Sequence, residues 1–253
     1  MPIVGIGASA GSIRALRQFF KALPPGATSQ SGTDRPHAGT AYVVVLHLAP
    51  DVESNLDRIL QQETDLRVVP AEDGAEVQAG TVTVISPGQR LTLSGGRIVV
   101  EDVTGPHDPY SVDRFFRSLA TDQGPNAVGI ILSGSGTDGT LGLRAIKEAG
   151  GVVMVQAPEE AEYPQMPESA LATGIVDRSL PAAELAETLA EYRDHAGIIQ
   201  LPDSEEALEE PEQSTLMKIF GELRRMTGLD FSGYKRSTRS EEHTSELQSR
   251  MFI

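Results

Sequence analysis

Apolar positions along this chain follow two rhythms. Unbroken runs at 3–8 (IVGIGA), 40–48 (TAYVVVLHL), 127–134 (AVGIILSG) and 151–156 (GVVMVQ) leave no polar face, as strands covered on both sides require. Between them the spacing turns helical. Residues 12–23 set Ile13, Leu16, Phe19, Phe20 and Leu23 on one side, and Pro24-Pro25-Gly26 ends the pattern. Residues 53–62, 111–120, 140–150, 166–174 and 181–194 read as further helices, the last with Leu185 and Leu189 inward. Shorter strands are expected at 66–69, 81–86 and 175–178, and Gly95-Gly96 makes 90–100 a hairpin. The stretch 27–39 is polar and rich in turn formers, so it reads as a surface loop. Strands alternating with helices predict an α/β fold: an open, mostly parallel, doubly wound sheet with a β-hairpin, in a Rossmann-like three-layer arrangement.

The rhythm stops near residue 195. Residues 203–212 (DSEEALEEPE) carry six acidic side chains and no basic one, so 196–213 reads as a solvated linker after a domain spanning 1–195. A net charge of −15 argues against a nucleic-acid or anionic-membrane binder. The absence of cysteine removes disulfides, thiolate catalysis and cysteine metal sites. No basic stretch leads into a long apolar run at the N-terminus, and no window nears the roughly 18 apolar residues of a membrane helix. A cytoplasmic protein is expected. No cluster of histidines and carboxylates has ligand spacing, so neither a metal nor another cofactor is expected. His37 and His195 read as solvated, whereas His107 could approach the site from the loop before 111–120.

In open α/β sheets, ligands bind beyond the carboxyl ends of the strands. Three residues fall there: Ser9 after strand 3–8, His47 at the end of strand 41–48, and Asp138 in the glycine loop SGSGTDG. A serine hydroxyl becomes a competent nucleophile when an imidazole takes its proton, and a carboxylate on the far ring nitrogen sets the tautomer. Small residues around Ser9 permit a sharp strand-to-helix turn, and the helix start beyond it offers N–H groups to an oxyanion. Gly134 and Gly136 would let backbone approach a substrate closely. Each residue alone has a plainer reading: Ser9 as a helix N-cap, His47 as a polar strand end, Asp138 as a turn or cap aspartate. Dinucleotide binding competes, since GIGASAG holds Gly5 and Gly7. However, the third glycine is displaced to Gly11, Ala10 stands in its place, and strand 40–48 lacks the acidic ribose partner at its end.

The segments IGASAG, YVVVLHLAPD, AEDGAEVQAGTVTVISPG, SVDRFFRSLA, AVGIILSGSGTDGTLGLRAIKEAGGVVMVQ and MPESALATGIVD, in this order, resemble the catalytic domain of the chemotaxis protein-glutamate methylesterases, the CheB family. The resemblance covers residues 3 to about 193. It implies Ser9 as nucleophile, His47 as base and Asp138 as its orienting carboxylate. The implied reaction is hydrolysis of glutamate methyl esters on chemoreceptor cytoplasmic helices, with deamidation of receptor glutamine by similar chemistry. Ala10, Gly11, Gly134 and Ser135 are the expected oxyanion and substrate loop, and Met166 belongs to a family loop near the site. Sensory histidine-kinase components are further expected partners. A non-catalytic docking or regulatory module in a sensory complex is the alternative. The sequence departs from the family pattern at Ser12, where a second glycine is usual, and at Leu46, where glutamine is usual. No receiver domain precedes the first strand, so regulation by phosphorylation in cis is not expected. Residues 214–238 resemble the opening helical region of chemoreceptor methyltransferases, which implies a truncated methylesterase–methyltransferase fusion without methyltransferase activity. Residues 239–249 (RSEEHTSELQS) resemble a translated sequencing adapter, so 239–253 is expected to be a non-native tail.

Overall fold

The computed structural model describes residues 1–9, 11–24, 39–46, 54–103 and 110–196. All lie in the first of two units into which the chain divides, Met1–Ile198. The loop 27–38, the acidic stretch beyond 196, the methyltransferase-like segment and the tail lie outside the described residues.

Strand β1 (Ile3–Ala8) is buried at every position, as its apolar run demands. It pairs in parallel with β2 (Ala41–Leu46) on one side and with β7 (Ala127–Ile131) on the other. β3 (Arg67–Pro70) and β4 (Thr81–Val84) extend the sheet beyond β2; β8 (Val152–Gln156) and β9 (Arg178–Leu180) extend it beyond β7. The order β3-β4-β2-β1-β7-β8-β9 is parallel throughout, more uniform than the expected mostly parallel sheet. The antiparallel pairing is confined to β5 (Gln89–Ser94) and β6 (Arg97–Asp102), the hairpin around Gly95-Gly96.

The chain winds outward from β1 in one direction, then returns past it to β7 and continues in the other. Right-handed crossovers therefore place helices on both faces. α1 (Ile13–Ala22) packs with α2 (Leu56–Gln61) and α6 (Ala182–Ala196); α3 (Ser111–Gln123) packs with α4 (Thr140–Glu148), which touches α5 (Gln165–Leu171). The hairpin lies against α3. Phe19 and Phe20 of α1 meet Tyr42 of β2 edge-on, at centroid distances of 6.4 and 5.8 Å.

Gly5 and Gly7 sit on one face of β1. A Cβ at Gly5 would lie 2.8 Å from atoms of both Phe115 and Leu119, and one at Gly7 would overlap Val112. These glycines let α3 approach the sheet, so helix packing accounts for them in place of a phosphate cradle.

Several boundaries differ from the sequence reading. Ile13, assigned to the buried stripe of α1, is 50% exposed: it is the first helical residue, and the buried stripe of α1 is Ala15, Leu16, Phe19 and Phe20. The last strand is Arg178–Leu180 and not 175–178. The residues before it are held otherwise: the Asp177 carboxylate accepts the Val153 N–H at 2.9 Å and pairs with Lys147. α6 runs to Ala196, so His195 lies within a helix and not beyond it.

Candidate active site

The direction of winding reverses at β1, and the crevice beyond the carboxyl ends of β1, β2 and β7 is where such sheets bind ligands. Ser9 is the first residue past β1. Its N–H donates to the Ser133 carbonyl at 3.2 Å, continuing the ladder by which Leu132 N–H reaches Gly7. Its own carbonyl accepts the Ser12 N–H at 3.2 Å, which closes the turn into α1. Gly11, at φ +76°, makes that turn, and the Tyr163 ring covers the space a Cβ there would need.

Ser9 is not the N-cap of α1. Ser12 occupies that place, buried and without a side-chain capping bond, so the departure from glycine here is accommodated at the helix start. Leu46 is a buried core residue opposite Ala8 in the β1–β2 register. His47 follows it directly in the chain; His47, Ala10, His37 and His107 lie outside the described residues.

The glycine loop after β7 meets Ser9 from the far side. Gly134 packs so closely that an added Cβ would sit 2.9 Å from Ser9 Cβ and overlap the Met166 sulfur. Its N–H is already engaged, donating to the Tyr163 carbonyl at 2.9 Å, and its carbonyl accepts Met166 N–H at 3.0 Å. That pairing removes Gly134 from the expected oxyanion donors and leaves it a packing role. Ser135 is exposed on the same loop. Met166 is fully buried, its sulfur against the space a Gly134 Cβ would take.

A chain of hydrogen bonds straps this loop to the segment before α5. Tyr163 N–H donates to Ser133 Oγ at 3.0 Å, and Ser133 N–H to Gln156 Oε1 at 2.8 Å. Gln156 Nε2 donates to Glu160 Oε2 at 2.8 Å, and the same oxygen accepts Ala182 N–H at 2.7 Å. None of these residues stood out in the sequence, because each works through a backbone partner distant in the chain.

Asp138 is buried with its carboxylate held by three amides. Oδ2 accepts Val112 N–H at 2.8 Å; Oδ1 accepts Asp113 N–H at 2.9 Å and Gly139 N–H at 2.8 Å. It does cap a helix, but that helix is α3, which lies before it in the chain. A carboxylate on free amides at a helix N-terminus is strongly favoured. Beside it, buried Asp113 accepts Gly142 N–H at 2.7 Å. Burial pushes the Asp113 carboxyl above its usual range, and the Asp138 charge adds to this; the Gly142 amide and Arg117 oppose it. Sequence reading did not single out Asp113, because nothing local distinguishes it from a solvated first-turn aspartate.

Among the described residues, no group of three or more His, Asp or Glu side chains is placed to hold a metal. Nor is any helix among them long and apolar enough to cross a membrane.

The likenesses to known proteins agree with this geometry. A protein-glutamate methylesterase/protein-glutamine glutaminase 4 of Anaeromyxobacter dehalogenans is 37% identical over 204 residues, 78% of this chain and 53% of that protein. The corresponding protein 2 of Rhodospirillum rubrum is 37% identical over 191 residues, 73% of this chain and 49% of its own length. This chain thus spans about half the length of the curated relatives it matches. The crystal structure of the Thermotoga maritima CheB methylesterase catalytic domain superposes with a TM-score of 0.64 at 28% identity, covering 76% of this chain and 98% of that one. The model of the CheB methylesterase family matches residues 4–189. With that match over most of the chain, and a serine turn at the switch point of the sheet, this chain belongs to the CheB methylesterase family.

Proposed function

We propose that this domain is a protein-glutamate methylesterase acting on methylated chemoreceptor helices, with Ser9, His47 and Asp138 as its catalytic residues. The observation that carries this reading is the position of Ser9. It stands at the carboxyl end of the central strand, where the winding reverses, in a family whose named relatives hydrolyse protein glutamate esters.

Ser9 Oγ attacks the ester carbonyl while His47 accepts its proton. The tetrahedral intermediate collapses as His47 returns that proton to the methoxide, and methanol leaves. Water, deprotonated by the same imidazole, then attacks the acyl-serine and releases the glutamate carboxylate and Ser9. Ala8 pairs with Leu46 at the ends of β1 and β2, and Ser9 and His47 are the residues that follow them in the sequence, which supports their working as a pair. Asp138 is suited to steadying an imidazolium because its three amide bonds fix its orientation beforehand. With Gly134 N–H bonded to Tyr163, the backbone amides of Ala10, Gly11 and Ser135 remain the oxyanion donors. A glutamine side chain presents the same carbonyl with ammonia as leaving group. Deamidation, part of the relatives' printed names, would follow the same course.

Methanol release from a methylated chemoreceptor tests this directly. Ser9→Ala is expected to lower turnover at least ~10³-fold. A few-fold change, with the protein folded, would remove Ser9 as nucleophile, whereas no methanol from the wild-type chain would favour the docking module.

A further inference from the structure

Asp113 and Asp138 cap each other's helices. Asp138, one residue before the Gly139 cap of α4, binds the second and third amides of α3, those of Val112 and Asp113. Asp113, in the first turn of α3, binds the Gly142 amide in the first turn of α4 at 2.7 Å. Both carboxylates are buried. The helices meet closely here: a Cβ on Gly142 would lie 2.5 Å from Phe116 Cβ and 2.9 Å from the Asp113 carbonyl oxygen. Two helix N-termini pointing at one spot bring together two sets of unpaired N–H groups and two positive dipole ends. The crossed carboxylates satisfy both, across 25 and 29 residues of chain.

We infer that Asp113 is a positioning residue of the active site: by anchoring the first turn of α4 to α3, it holds the loop that carries Asp138. This inference rests on the esterase reading for its catalytic consequence, though not for its structural one. Without the Asp113 acceptor, the Gly142 amide is left buried and unpaired, and the start of α4 is free to shift. Asp138, one residue before the cap of α4, would move with it. Displacements of about 1 Å at a positioned group can cost on the order of 10²-fold in rate.

The test combines kinetics with hydrogen exchange on the whole chain. Asp113→Ala is expected to lower kcat for methanol release about 10- to 100-fold while KM changes less than about threefold. Asp113→Asn keeps an acceptor for Gly142 N–H and should recover most of that loss. In an Asp138→Ala background, Asp113→Ala should cost less than about twofold more, since its effect passes through Asp138. Amide exchange should quicken at Gly142 in Asp113→Ala, and also at residues 112 and 113, the amides that Asp138 holds. A kcat loss in Asp113→Ala of less than twofold, an Asn variant as impaired as Ala, or a full-sized loss in the Asp138→Ala background would overturn the inference. Should Asp113→Ala not fold, Asp113→Asn with faster exchange at 142 but wild-type exchange at 112 and 113 would equally sink it. If the wild-type chain releases no methanol, the esterase reading fails. The exchange at 112 and 113 then decides by itself whether Asp113 anchors Asp138.

Discussion

Replacing Gly7 by alanine should damage both the fold and the site, and Gly5→Ala should separate the two effects. At Gly7 the new methyl would overlap Val112 Cγ1 and lie 3.0 Å from Ile131 Cδ1 and 3.2 Å from Phe116 Cζ. All are buried in a close-packed interior, so α3 must move away from β1. Overpacking of this kind costs about 1–3 kcal/mol. Val112 also donates to Asp138 at 2.8 Å, so displacing it weakens a buried, charge-assisted bond worth roughly another 1–2 kcal/mol if wholly lost. A total of about 2–5 kcal/mol corresponds to a melting temperature lower by roughly 4–20 °C for a domain of this size. At Gly5 the methyl meets Phe115 and Leu119 at 2.8 Å, further along α3 and away from Asp138. It should give a similar melting loss with much smaller loss of methanol release in the folded protein. Thermal unfolding by circular dichroism and the esterase assay read the pair. If Gly7→Ala melts within 1 °C of wild type, or if both variants lose activity alike, the argument that α3 packing positions Asp138 is wrong.

Three further outcomes follow from the same contacts. Because the Asp113 carboxyl is raised above 3.8 by burial, the folded state binds its proton more tightly than the unfolded chain does. Its contribution to stability is complete below pH 3.8 and is lost as pH rises through the folded value; Asp113→Asn should therefore look progressively better than wild type in urea unfolding as pH rises from 3.8 through the folded value, and a constant difference over that rise would contradict this. Gly11→Ala places a Cβ at φ +76° against the Tyr163 ring and should destabilise by about 1–3 kcal/mol in denaturant titration, with Tyr163→Ala relieving part of the cost. Asp177→Ala leaves the Val153 amide without its carboxylate and Lys147 without its ion pair, so it should cost about 1–3 kcal/mol, whereas Glu76→Ala, removing an exposed pair 3.9 Å from Arg97, should cost less than about 0.5 kcal/mol.

Much of this domain is written in local patterns. Unbroken apolar runs announced the parallel strands, because a strand covered on both faces has no polar side to show. The paired glycines at 95 and 96 announced the hairpin, and Ser9 and Asp138 could be placed after their strands by counting alone. What the sequence left open depended on partners far along the chain. Gly5 and Gly7 matched part of an incomplete dinucleotide fingerprint, and their packing role appeared only with the arrival of Phe115, Phe116 and Val112 against them. Asp138 read as a cap, but its helix, α3, begins 27 residues earlier in the chain, a pairing without any local signal. Asp113, Ser133 and Glu160 were invisible for the same reason: their hydrogen bonds join backbone groups that become neighbours once the sheet has formed. Periodicity records which side of an element avoids water; tertiary structure decides what stands on that side, because burial is local to a residue while its contacts are not.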